Sequence, residues 1–256
     1  MSLASEQAGN GIPLVFLHAF PLDRRMWAPQ ESFAKHYRRI AVDFPGFNES
    51  RLTTSSSMET MARGVMKTLD SLGVREKAVF VGLSMGGYVL MQIARVFPDR
   101  IRAAAFVSTR SAPDTAEGKQ KRLDNIEIVQ KQGVKKLVEL QLPALLGETT
   151  HRERPNVVET VRGIANAQQA DAIIGALRGM AERSDMSTVL DGLQCPALFV
   201  SGAEDTIIKS SEMEGMAKRV KNSEFHIVEK VGHLLSLERP EALDDLINHF
   251  LKRRVL

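Results

Sequence analysis

Short apolar runs alternate along this chain with longer stretches whose apolar residues recur every three or four positions. The runs are Leu14–Leu17, Arg39–Asp43, Val79–Gly82, Ala103–Ser108, Ala197–Gly202 and Glu224–Val228. Each has the length of a strand rather than a helix, and most are apolar on both sides, as strands buried on two faces must be. Between them lie helical patterns. Met61, Ala62, Val65, Met66, Leu69 and Leu72 trace one helical face; Leu243, Leu246, Ile247, Phe250 and Leu251 trace another, beginning just after Pro240. Strand and helix in alternation predict an α/β fold, a mostly parallel sheet with helices on both faces.

The alternation breaks from about Ser111 to Asp191. That stretch contains no strand run. It reads instead as amphipathic helices over Leu123–Gln132, Val134–Leu142, Pro155–Asn166 and Gln168–Ala181, punctuated by Gly133 and Pro155. A helical insertion between two strands, at the carboxyl edge of a sheet, would sit over the crevice where such sheets bind ligands. The expected organisation is therefore a core formed by 1–110 and 191–256 and a helical cap, or lid, over 111–190.

Composition narrows the function classes. With 256 residues and 43% apolar content, the chain can bury one large core. Its 34 Lys and Arg nearly balance 31 Asp and Glu, leaving a net charge of +3, too little to predict a nucleic-acid partner. Basic groups such as Lys252-Arg253-Arg254 are read as solvated surface. The single Cys195 excludes an internal disulfide framework and fits a reducing compartment. Residues 1–11 carry no apolar signal core, and no stretch has the apolar length to cross a bilayer. A soluble, cytoplasmic protein is expected, with no membrane partner.

The strongest chemical signal is Val79-Phe80-Val81-Gly82-Leu83-Ser84-Met85-Gly86-Gly87. Gly-x-Ser-x-Gly arises by chance about one time in ten in a chain of this length. Here, however, an apolar strand runs into it and a helical pattern leaves it. Such a sharp turn holds the serine in a strained, exposed conformation beside the free N–H groups of a helix start. A serine hydroxyl is a weak nucleophile. It needs a base within reach, and the base needs a partner that fixes its tautomer.

Six histidines can supply the base. His233 follows the last strand run, with Gly232 before it, so its loop shares the sheet edge with Ser84. His36, His151, His226 and His249 lie in helical or strand patterns with charged neighbours and are read as surface. The acid is expected in a loop after another strand: Asp205 lies three residues beyond Gly202, with Glu204 as its rival. Ser84, Asp205 and His233 then occur in the chain order serine, acid, histidine. Two backbone donors should meet an oxyanion, the N–H of Met85 and that of Phe20 in Leu17-His18-Ala19-Phe20-Pro21. His18 is expected to tie that loop down through a backbone hydrogen bond. Leu140, Leu142, Leu146, Ile173, Leu177 and Met180 are the candidate lining of an apolar acyl pocket. The lone cysteine and scattered histidines lack metal-ligand spacing, so neither a metal nor an organic cofactor is expected.

These residues in this order resemble the α/β-hydrolase superfamily over nearly the whole chain. His18-Ala19-Phe20-Pro21-Leu22-Asp23 with Met26-Trp27 resembles the oxyanion-loop motif of its bacterial esterase and enol-lactonase-like branch, as does Gly82-Leu83-Ser84-Met85-Gly86-Gly87-Tyr88 its elbow. Asp43-Phe44-Pro45-Gly46-Phe47-Asn48-Glu49-Ser50 is similar to the turn after the family's fourth strand. Ala19 and Asn48 stand where the family usually has glycine. The resemblance implies a serine hydrolase of carboxylic esters with short to medium acyl chains. A lactonase (enol-lactone or N-acyl homoserine lactone) with the same residues, and a receptor that binds a small apolar ligand without turnover, stay open. The family usually carries two further strands before the first one found here. Those strands are expected to be missing, leaving six, with Arg39–Asp43 near an open edge that could pair with a second copy in a homodimer.

Overall fold

A computed structural model describes residues 2–53 and 56–255. Its described strands are β1 (Ser5–Ala8), β2 (Pro13–Leu17), β3 (Arg38–Val42), β4 (Ala78–Leu83), β5 (Ile101–Val107), β6 (Ala197–Gly202) and β7 (Ser223–Val228). They form one seven-stranded sheet in the order β1-β3-β2-β4-β5-β6-β7. All neighbours are parallel except β1, which pairs antiparallel with β3 from Ser5↔Val42 to Ala8↔Arg39.

β1 corrects the expected six-stranded sheet with Arg39–Asp43 at its edge. One N-terminal strand is present, and it covers β3. It has no apolar run because its residues are exposed or half-buried. Backbone pairing holds it, helped by Arg39–Glu6 at 3.0 Å and by Arg38 donating to Gln7 Oε1 at 2.8 Å. The open-edge argument for a homodimer therefore does not apply to Arg39–Asp43. The polar, four-residue β1 is the kind of short edge that resists pairing.

The period-2 alternation of the central strands divides the interior into two cores. Val15, Ile40, Phe80, Phe106 and Phe199 face α1 (Met58–Ser71), α2 (Met85–Val96) and α9 (Ser210–Arg219). Phe16, Ala41, Val81, Ala105 and Val200 face Trp27 and Phe33 of a run of 3-10 turns over Arg24–Lys35 and the helix α11 (Pro240–Arg254). All ten of these strand residues are buried.

Between β5 and β6 the chain forms α3 (Ala116–Gln132), α4 (Val134–Leu145), α5 (Glu148–Glu153), α6 (Pro155–Asn166), α7 (Ala170–Ala181) and α8 (Ser187–Asp191). α3 packs on α4 and α7, and α4 on α6, whereas α8 rests on α2 and α9. No helix of the described residues is long and apolar enough to cross a membrane.

Candidate active site

β3 lies on one side of β2 and β4 on the other, so the chain leaves β2 in one direction and returns on its far side. A crevice opens at such a reversal, at the carboxyl ends of the strands. Ser84 stands there, at the end of β4 and the start of α2. Its φ of 53° and ψ of −111° put a non-glycine residue in a sparsely populated region that costs on the order of 1–3 kcal/mol. The surroundings hold it: Ser84 N–H donates to Val107 O at 2.9 Å, and Thr109 Oγ1 donates to Ser84 O at 2.8 Å. The glycines of the motif are required by close approach. A Cβ on Gly86 would lie 2.1 Å from Leu17 O, and one on Gly82 2.5 Å from Gly86 O. The helix start can thus press against the ends of both β2 and β4. The Ser84 hydroxyl has no hydrogen-bond partner among the described residues.

His233 follows Gly232 in the loop after β7, and Asp205 follows β6. Their side chains meet, His233 Nδ1 to Asp205 Oδ2 at 2.8 Å. The other carboxylate oxygen accepts from Ile207 N at 2.8 Å and Ile208 N at 3.0 Å. Burial opposes ionisation of Asp205, but the His233 ring and these N–H groups outweigh it and hold the carboxyl below the ordinary range. With Nδ1 bound to the carboxylate, Nε2 carries the free lone pair. Glu204, the rival acid, points elsewhere and accepts from Thr149 N and Oγ1.

The histidine loop is braced by a residue that sequence reading did not single out. Glu238 is fully buried, and its carboxylate accepts from Gly147 N at 2.8 Å, Thr150 Oγ1 at 2.7 Å, Gly232 N at 3.1 Å and Leu234 N at 3.0 Å. The last two donors flank His233. The first two belong to the start of α5, so one side chain binds the inserted helices to the histidine loop. Gly232 permits the contact, since a Cβ there would lie 2.1 Å from Gly147 N. Gln168 does similar work on the other side. Its Nε2 donates to Asp23 Oδ2 at 2.7 Å and its Oε1 accepts from Asn48 N at 3.2 Å. A carboxylate in the apolar string Leu234-Leu235-Ser236-Leu237-Glu238 is the sequence signal that could have marked Glu238.

His18 ties its loop down as expected. Nδ1–H donates to Ala19 O at 3.0 Å, and Nε2 accepts from Phe44 N at 2.9 Å. Burial is the main cause of its lowered pKa, which keeps the ring neutral for both roles. Asn48 takes the left-handed conformation that the usual glycine would supply, with φ 46°, and its side chain donates to Asp43 Oδ2 at 3.0 Å. Met85 is the first residue of α2, so its N–H lacks an intrahelical acceptor. The Phe20 N–H has no acceptor among the described residues, and the Phe20–Pro21 peptide is cis.

Ser84, His233 and Phe20 open onto one cavity of about 690 Å³, whose other walls come from α2, the segment after β5, α3, α4, α7 and the loop after β6. Of the expected pocket residues, Leu140 and Met180 line it. Leu142, Leu146, Ile173 and Leu177 do not; they are buried among the helices and strands, where their helical spacing places them in the core. Tyr88, Arg110, Lys121 and Arg122 line the cavity and were not anticipated. None of His36, His151, His226 and His249 reaches it.

The arrangement has counterparts. A solved structure of a thermophilic esterase from Thermogutta terrifontis (malate bound) superposes with a TM-score of 0.96 at 36% identity, covering 99% of this chain and 94% of that one. A structure described as an N-acyl homoserine lactone degrading enzyme matches with a TM-score of 0.84 at 25% identity, over 97% and 96% of the two chains. The dihydrolipoyllysine-residue acetyltransferase component of an acetoin cleaving system from Pseudomonas putida is 27% identical over 248 residues, 95% of this chain but 64% of that protein. The family described by the alpha/beta hydrolase fold matches residues 12–240, from the start of β2 to the helix after the histidine loop. A seven-stranded sheet, a serine at its sharpest turn and matches that span almost the whole length agree: the chain belongs to the alpha/beta hydrolase family.

Proposed function

We propose that this chain hydrolyses carboxylic esters through an acyl-enzyme intermediate, with Ser84 as nucleophile, His233 as general base and acid, and Asp205 as the group that orients the imidazole. The observation that carries the proposal is a strained, unpartnered serine hydroxyl sharing a cavity with the imidazole of a buried Asp–His pair. Attack requires Ser84 Oγ to come within hydrogen-bond reach of His233 Nε2 across the cavity that both residues line. The ring takes the hydroxyl proton as Oγ attacks the ester carbonyl. The N–H groups of Phe20 and Met85 receive the oxyanion, where one donor is worth about 3 kcal/mol of barrier. The alcohol leaves with the proton from Nε2, and water then repeats the sequence on the acyl-enzyme. Asp205, held below the ordinary carboxylate range, stays charged and stabilises the transient imidazolium. Residues 111–190 form the cap, which contributes Lys121, Leu140 and Met180 to the cavity.

Lactone hydrolysis is the second reading, supported by the lactone-degrading neighbour at 25% identity. The chemistry is the same, with the leaving alcohol tethered. The test is a panel of 4-nitrophenyl esters of graded acyl length beside N-acyl homoserine lactones. Multiple turnover on at least one class is expected in the wild type, and a loss of at least about 10³-fold in Ser84→Ala with folding intact. Turnover retained by Ser84→Ala, or a single turnover followed by a stable ligand complex, would refute the hydrolase assignment.

A further inference from the structure

The cavity has two chemical halves. Met180, Leu145 and Phe20 give it an apolar side, whereas α3 and the segment after β5 give it a charged one. On α3, Lys121 and Asn125 are four residues apart and so share a face, and both line the cavity.

The charges on that half do not cancel. Asp114, the one carboxylate among the described residues that line the cavity, is held between two guanidinium groups: Arg122 Nε bonds to one oxygen, and Arg183 Nη1 lies 2.8 Å from the other. Burial opposes its ionisation, but the two arginines prevail and hold its pKa down. Arg110 donates to Ile207 O at 2.5 Å and faces Glu212 at 3.3 Å. Lys121 forms no ion pair among the described residues, and its side chain is exposed at the cavity. Among the described residues that line the cavity, the three cations Arg110, Lys121 and Arg122 thus meet the single carboxylate of Asp114, while the chain as a whole is nearly neutral at +3.

A low-dielectric cleft with uncompensated positive charge on one wall concentrates anions and penalises cations. The free ammonium is a single strongly hydrated point charge, suited to one monoanionic group rather than to a planar bidentate clamp. The opposite half suits hydrocarbon. We infer that the substrate is an ester or lactone carrying a carboxylate at the end remote from the scissile bond, bound at the Lys121 wall while the apolar part lies against Leu145 and Met180. This inference rests on the hydrolase assignment and adds the charge of the substrate to it.

The test compares chain-matched pairs. 4-Nitrophenyl hemiadipate against 4-nitrophenyl hexanoate places the charge on the acyl arm; 4-carboxybenzyl acetate against benzyl acetate places it on the alcohol arm. The readout is the ratio of kcat/KM, anionic over neutral, in wild type, Lys121→Ala, Lys121→Glu and Lys121→Arg. In at least one pair the ratio should exceed one at low ionic strength and shrink in 0.5 M NaCl. It should fall about threefold to fivefold in Lys121→Ala, fall further in Lys121→Glu, and return in Lys121→Arg. A ratio that the Lys121 substitutions leave unmoved in both pairs, while Ser84-dependent hydrolysis persists, overturns this inference alone. Loss of hydrolysis in every pair, or turnover without Ser84, overturns the hydrolase assignment beneath it.

Discussion

Glu238 tests whether the inserted helices and the histidine loop form one mechanical unit. In Glu238→Gln the side chain keeps its shape, and its amide oxygen can replace the oxygen that accepts from Gly147 N, Thr150 Oγ1 and Gly232 N. The amide NH2 then faces Leu234 N–H, which donated at 3.0 Å. One acceptor is lost, and two donors are pressed together in a fully buried site. An unsatisfied buried donor costs about 1–3 kcal/mol, and hydrogen bonds to a charged acceptor are worth about 1.5–3 kcal/mol each. A destabilisation of about 3 kcal/mol is expected, which lowers Tm by roughly 6–12 °C in a chain of this size. Because Leu234 and Gly232 flank His233, activity should suffer through the ring's position. At temperatures where the variant is fully folded, kcat should fall about tenfold with little change in KM. Glu238→Ala orphans all four donors and should be worse on both counts. The measurements are thermal unfolding followed by circular dichroism and steady-state ester hydrolysis. A Glu238→Gln protein with unchanged Tm and unchanged kcat would show that the four hydrogen bonds do not carry the load assigned to them.

Two further outcomes follow from the packing and the charges. Gly86→Ala places a methyl 2.1 Å from the backbone oxygen of Leu17, which cannot move without shifting β2; urea unfolding should show a loss of about 1–3 kcal/mol, and ester turnover should drop because the starts of α2 and of the Phe20 loop are forced apart. Asp244 is half-buried and accepts from Gln30 Nε2 and Ser32 Oγ, and that partial burial, aided by Glu241 and Asp245, raises its pKa to about 6. Its folded state therefore binds a proton more tightly than the unfolded chain. This contribution is harmless below about pH 4 and increasingly destabilising as pH rises through 6. A fully dry carboxyl would lose about 3 kcal/mol; this half-solvated one should lose about 1 kcal/mol. Asp244→Asn should accordingly raise Tm at pH 7.5 and leave it unchanged at pH 4, and equal shifts at both pH values would refute the argument.

Much of the frame was legible because its signals are local. Val79–Gly82 running into Gly-x-Ser-x-Gly predicts strand, turn and helix within nine residues, and β4, the strained Ser84 and α2 occupy those positions. The expected strand at Ala197–Gly202 has the same bounds as β6, since a run buried on both faces reads as a near-continuous apolar stretch, here Ala197-Leu198-Phe199-Val200. Asp205 and His233 could be picked out because each follows a strand run directly, and the parallel sheet then delivers both to one edge. His18 was legible as a loop anchor for the same reason.

What escaped is what depends on partners far away in the chain. β1 is polar because it lies at an edge, so no pattern in Ser5–Ala8 distinguishes it from a loop; only its pairing with β3 makes it a strand. Leu142, Leu146, Ile173 and Leu177 carry the same helical apolar spacing as Leu140 and Met180. The spacing says that a helix buries one face, but the packing of α3 on α4 and α7 decides which residues are left to the cavity. Glu238 and Gln168 draw their meaning from donors and acceptors as much as 145 positions away. The sequence by itself determined the order of strands β2 to β7 and of the amphipathic helices among them, and the residue types at those strand ends, because these follow from periodicity and backbone sterics. The tertiary structure alone decided the edge strand, the cavity wall and the buried braces, because hydrogen bonding and exclusion from water are properties of neighbours in space rather than in the chain.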